Sequence, residues 1–138
     1  MVQDSDLIIY DINDSKKEIE AVGAKVGSLE EVCQSKIVIP AVPISQFESV
    51  IKEISPVINK ESLVIDVCSV KESPANIMKK ELPSTVSILA THPMFGPDSA
   101  DKTLFGSKIV LCPVRIADKD YSDIKSYFES HGMKVIEA

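Results

Sequence analysis

"KIVIPAVPISQFESVIKEISPVINKESLVIDVCS", residues 36–69, decides the fold. It opens on the apolar run "KIVIPAV" (36–42), which reads as a buried strand. "SQFESVIKEI" follows with Phe47, Val50, Ile51 and Ile54 on one 3.6-period face, a Ser45–Glu48 capping box in front and Pro56 behind. "SLVIDVCS" (62–69) is a second strand. Strand, helix and strand at this spacing make a βαβ unit, whose crossover sets the two strands parallel.

The same alternation runs outward in both directions. Upstream, "DLIIYD" (6–11) reads as a strand and "SKKEIEAVG" as a helix with Ile19 and Val22 on one face and Gly23 as its stop. "AKVG" is a short strand, and "SLEEVCQ" opens a helix with a Ser28–Glu31 capping box. Downstream, "SPANIMKKEL" is a helix with Ser73 as N-cap and Pro74 in first position. "TVSILAT" (85–91) and "SKIVLCP" (107–113) are strands. "DKDYSDIKSYFESHG" is a helix with apolar Tyr121, Ile124, Tyr127 and Phe128, stopped at Gly132, and "MKVIEA" is a last strand. The expectation is one α/β domain over 1–138 with a mostly parallel sheet in three layers.

Composition bounds what such a domain does. A chain of 138 residues with 44% hydrophobic residues builds a single core. No apolar run is long enough to span a membrane, and the opening "MVQDSDLIIYD" has no basic n-region, so neither a membrane partner nor a secretory signal is expected. A net charge of −6 argues against nucleic acid. Three cysteines, Cys33, Cys68 and Cys112, show no metal-like spacing and read as reduced thiols of a cytoplasmic protein; no metal site is expected.

Parallel sheets bind ligands beyond the carboxyl ends of their strands. That rule gathers Asp11, Val42–Pro43, Ser69 and His92, each of which ends an expected strand. Asp11 is either a turn aspartate or the acid that accepts hydrogen bonds from an adenosine ribose, where it would repel a 2′-phosphate and favour NAD over NADP. Ala41, Val42 and Pro43 form an ordinary turn or an apolar lip for a cofactor. "DVCSVK" (66–71) sets Asp66, Ser69 and Lys71 close together: an acid, a hydroxyl donor-acceptor and a point charge. Cys68 between them reads as a small buried hydrophobe. His92, in "ILATHPMFGPDS" (88–99), has Pro93 to hold its backbone extended and Gly96–Pro97 to shape the following turn. An imidazole there is a core histidine or a proton acceptor near neutral pH. His131, in the last turn of a helix, reads as structural.

"DVCSVKESP" followed by "THPMFGPDS" resembles the prephenate and arogenate dehydrogenases of tyrosine biosynthesis, and "GSKIVLCP" further on is similar to that family too. The resemblance covers nearly the whole chain and implies a Rossmann-like dinucleotide-binding domain. It implies an NAD-dependent oxidative decarboxylation of prephenate or arogenate, in a homodimer. By that resemblance His92 binds and deprotonates the ring hydroxyl, and Ser69 hydrogen-bonds near the same hydroxyl and the nicotinamide. Asp11, Ala41, Val42, Pro43, Asp66 and Ser69 would line the cofactor, and His92, Lys71 and Gly96 the substrate.

Two parts of the family's pattern are not in these residues. The five glycines, Gly23, Gly27, Gly96, Gly106 and Gly132, nowhere make Gly-x-Gly-x-x-Gly, so the first strand and its glycine-rich loop are missing. The helical second domain is missing as well, and Arg115, the single arginine, does not take over its carboxylate-binding role. The expectation is that 6–11 and 36–41 either pair directly or are bridged by association of two chains, and that the 138 residues alone do not turn over substrate. The competing reading is a non-catalytic Rossmann module that self-associates or binds a partner. The 3-hydroxyisobutyrate and 6-phosphogluconate dehydrogenases share the fold, but they do not explain "THPMFGP".

Overall fold

A computed structural model of the chain describes residues 7–11, 16–68, 72–94 and 106–138. The βαβ unit forms as the sequence implies, but the buried strand expected over 36–42 is a two-residue strand with Ile37 exposed and Val38 buried, because it lies at the edge of its sheet. Strand β3 (Ile37–Val38) leads through helix α3 (Ile44–Ile54) to strand β4 (Leu63–Asp66), which pairs with β3 in parallel. Helix α3 buries Phe47, Ile51 and Ile54, one turn apart along a single face. Its start differs from the expected capping box. Pro43 takes the cap position, Gln46 N–H donates to the Pro43 carbonyl at 2.9 Å, and no side chain caps the helix. A proline already holds the φ of an extended-to-helix junction, so the helix begins before Ser45 can cap it.

Helix α4 (Glu72–Glu81) returns the chain to strand β5 (Ser87–Pro93), parallel to β4. Because α4 starts at Glu72, Ser73 lies inside the first turn and is not the N-cap; Pro74 is tolerated there, since first-turn amides have no intrahelical acceptor. Strand β6 (Lys108–Arg115) is antiparallel to β5, and helix α5 (Asp118–Ser130) leads to strand β7 (Lys134–Glu137), parallel to β6. Gly132, with φ 80°, turns the chain out of α5 in the left-handed conformation a side chain would resist.

The sheet order is β3-β4-β5-β6-β7. Alternation along the strands separates two cores. Val64 and Ile88 point to one face with Phe47, Ile51 and Met78; Ile65 and Leu89 point to the other, where Tyr121, Ile124 and Phe128 of α5 pack. Helices on both faces make three layers, so the α/β Rossmann-like class holds. Tyr127 meets Phe128 edge to face and also His131, with ring centroids 5.9 and 4.4 Å apart. His131 Nδ1 lies 2.9 Å from the Tyr127 carbonyl, in keeping with a structural role.

Upstream, strand β1 (Ile8–Ile9), helix α1 (Lys16–Ala21), strand β2 (Lys25–Val26) and helix α2 (Leu29–Cys33) form a smaller unit. The Ser28–Glu31 capping box is present in both directions, each hydrogen bond 3.2 Å long. Strands β1 and β2 pair in parallel as a separate two-stranded sheet. The expected direct pairing of the first strand with 36–41 is therefore not formed. Each hydrogen-bonds to one neighbouring strand among the described residues, because β1 is held by β2 and β3 by β4. No described helix is long and apolar enough to cross a membrane.

Candidate functional site

Strands β3, β4 and β5 are parallel and adjacent, so their carboxyl ends open on one edge of the sheet. That edge carries the segment from Ile39 to Pro43, the turn after Asp66, and the end of β5 with His92. Ala41 and Pro43 are exposed and Val42 half-buried, packed against the α3–α4 core. These residues form a short apolar rim before α3. Asp11 follows β1, in the other sheet, and is exposed. Ser69, Lys71 and Gly96 lie outside the described residues.

His92 sits further inside the ladder than its sequence suggests. Strand β5 runs on to Pro93, with His92 opposite Val110 and Pro93 opposite Ile109. The β4–β5 ladder ends at the Asp66–Ala90 pair, so this last part of β5 is paired with β6 alone. A proline fits there because no ladder amide is needed on the β4 side. His92 is half-buried, on the same face of β5 as Ile88 by alternation.

Asp66 is wholly buried. Its Oδ1 accepts from Thr91 N–H at 3.1 Å and its Oδ2 from Cys68 N–H at 3.1 Å. The Thr91 hydroxyl donates to the Asp66 carbonyl at 2.6 Å. Sequence reasoning set Asp66 among cofactor contacts and passed over Thr91 altogether; only the parallel pairing of β4 and β5 brings the two together. Arg115 is committed elsewhere: its Nε donates to the Val86 carbonyl at 3.0 Å and an Nη to the Pro83 carbonyl at 2.7 Å.

Among the described residues the environment moves Cys33, Tyr121, Lys125 and Glu137. Burial, with Glu30 and Glu53 adding to it, pushes the Cys33 thiol up. At the α5–β7 contact the Lys125 ammonium, 2.7 Å from Glu137, holds that carboxylate below its usual range, and Glu137 in turn raises Lys125. Burial and the neighbouring Glu137 carboxylate raise Tyr121.

Residues 3–137 match the family described as "Prephenate dehydrogenase, nucleotide-binding domain". A probable arogenate/prephenate dehydrogenase of Methanocaldococcus jannaschii is 31% identical over 130 residues, 91% of this chain and 29% of that protein. Arogenate dehydrogenase 2, chloroplastic, of Arabidopsis thaliana is 31% identical over 141 residues, 96% of this chain and 39% of that protein. The crystal structure of prephenate dehydrogenase from Aquifex aeolicus in complex with hydroxyphenyl propionate and NAD+ superposes with a TM-score of 0.78 at 22% identity, over 97% of this chain and 51% of that one. The chain thus spans between about three-tenths and a half of the length of these proteins.

Proposed function

The chain belongs to the prephenate dehydrogenase nucleotide-binding family, and from that premise we propose that it is the cofactor half of an NAD-dependent dehydrogenase of prephenate or arogenate. One observation carries the reading: β3, β4 and β5 open on a single edge, with the half-buried His92 on the last of them. The residues present fit the two ends of a dinucleotide. Asp11 is an exposed acceptor beyond β1, suited to ribose hydroxyls, and its charge disfavours a 2′-phosphate. Ala41, Val42 and Pro43 offer an apolar rim beyond β3.

When bound, the cofactor supplies the hydride acceptor. The chain's own part is to orient and to move a proton. His92, fixed by its ladder with β6, takes the proton of the substrate's ring hydroxyl, and the family resemblance assigns Ser69 a hydrogen bond to that hydroxyl and Lys71 and Gly96 the substrate side. The carbinol C–H pair would leave as hydride, making the ring carbonyl; carbon dioxide then leaves, its bonding pair enters the ring, and the carbonyl oxygen takes back a proton as the ring becomes aromatic. The relative crystallised with NAD+ supports the choice of cofactor. Cys33, Cys68 and Cys112 form no disulfide, which supports a reducing compartment, taken here as the cytoplasm.

A calorimetric titration of NAD into the purified chain, with NADP as control, tests the reading. Binding with a Kd of about 1 mM or tighter, weaker for NADP, is expected. Equal binding of both removes the role of Asp11, and no binding of either removes the cofactor assignment. A second reading, a module that self-associates without catalysis, is favoured by the pairing of β1 and of β3 with one strand each among the described residues.

A further inference from the structure

We propose that Asp66 is a positioning residue that holds the His92-bearing end of β5 in register with the turn leaving β4. The proposal rests on the reading of His92 as the proton acceptor, and it moves Asp66 from the cofactor surface to the scaffold beneath it. A carboxylate with no exposed surface is costly to bury, so its hydrogen bonds must answer for it. Among the described residues two reach the carboxylate, and a third, to the Asp66 backbone carbonyl, lies beside them. The β4–β5 ladder stops at Asp66–Ala90. Beyond it the amides of Thr91 and Cys68 would lose their ladder acceptors. The two carboxylate oxygens accept from them instead, each at 3.1 Å, and the Thr91 hydroxyl closes on the Asp66 carbonyl at 2.6 Å. One side chain thus substitutes for another rung of sheet.

The consequence falls on the next residue of each segment. Thr91 precedes His92 and Cys68 precedes Ser69 in the chain. A clasp on the Thr91 peptide fixes the direction in which the His92 side chain leaves β5. Asparagine at position 66 keeps the shape but has one acceptor oxygen, so one of the two amides is left facing an NH2 group. A buried amide without an acceptor is a large local penalty, which the strand end relieves by shifting.

The test uses the chain's two histidines, His92 and His131, as probe and internal control. Proton NMR of the imidazole Cε1–H signals is followed in the wild type, in Asp66→Asn and in Thr91→Val, without nucleotide. The proposal expects Asp66→Asn to move or split the His92 signal while His131 stays in place. It also expects exchange of the Thr91 and Cys68 amides to accelerate about tenfold or more. Thr91→Val, which keeps the carboxylate–amide bonds, should displace His92 in the same direction by less; it also carries the test if Asp66→Asn does not fold. An unchanged His92 signal in the folded variants overturns the proposal. So does a selective loss of NAD affinity in Asp66→Asn with His92 unmoved, which would make Asp66 a cofactor contact. Because the histidine readout needs no nucleotide, failure of NAD to bind the wild type would sink the functional reading and leave this result standing.

Discussion

His92 is the residue on which the proposed chemistry turns. It is fixed from one side by the β6 ladder and from behind by the Asp66–Thr91 clasp. In an active enzyme that contains this domain, His92→Asn is expected to lower kcat by about 10²–10⁴-fold, the usual worth of a positioned base, with the Kd for NAD nearly unchanged. Steady-state kinetics beside calorimetry check this, and unchanged turnover would remove the assignment. Residue types at this scale were readable from the sequence: the histidine ahead of a proline, the aspartate at a strand end. Their partners were not. Asp66 and Thr91 are 25 positions apart, and no local pattern links them. Arg115 shows the same limit, since its bonds to the Val86 and Pro83 carbonyls, 29 and 32 positions away, make it a structural clamp.

Among elements, the short units carry the sharpest tests. A Cβ on Gly27 would collide with the Ile8 side chain, so glycine is what lets β2 and the start of α2 approach β1. Gly27→Ala is expected to destabilise the chain by about 1–3 kcal/mol, as overpacking does, and to speed exchange of the Gly27 amide, which donates to the Ile9 carbonyl. Urea unfolding and hydrogen exchange measure both. The α5–β7 clasp responds to pH. Glu137 is lowered in the folded chain, so its contribution is present above the ordinary carboxylate range and is lost as the pH falls below that range through the lowered folded value. Lys125 is raised, so its contribution is present below the ordinary lysine range and is lost as the pH rises above that range through the raised folded value. The clasp is therefore complete between about pH 5 and pH 10. Glu137→Gln should flatten the acid side of a melting-temperature profile, and an unaltered profile would show that the pair contributes nothing measurable. Helix periodicity and the Ser28 cap were legible locally; the Ser45 and Ser73 caps were misread because each helix begins earlier in the chain than its serine signal implies.

For the whole molecule the decisive feature is the division into two sheets. Ile37 and Ile39 are 49% and 46% exposed around β3, an edge strand whose backbone can accept another strand. The purified chain is therefore expected to sediment as a dimer at micromolar concentration, and to lose that association when Ile37 is replaced by lysine; a monomer in both cases would contradict the self-associating reading. By itself, the sequence determined the α/β class, the order of strands and helices, the two-faced core and the motif pair that marks the family. Those depend on periodicity and on neighbours within a few residues, which the chain displays directly. Tertiary structure alone decided that β1 and β3 do not pair, that β5 carries His92 into its ladder, and that Asp66 accepts from the Thr91 and Cys68 amides. Each of these is set by which distant backbone groups find acceptors once water is excluded, and that competition is settled only when the strands are side by side.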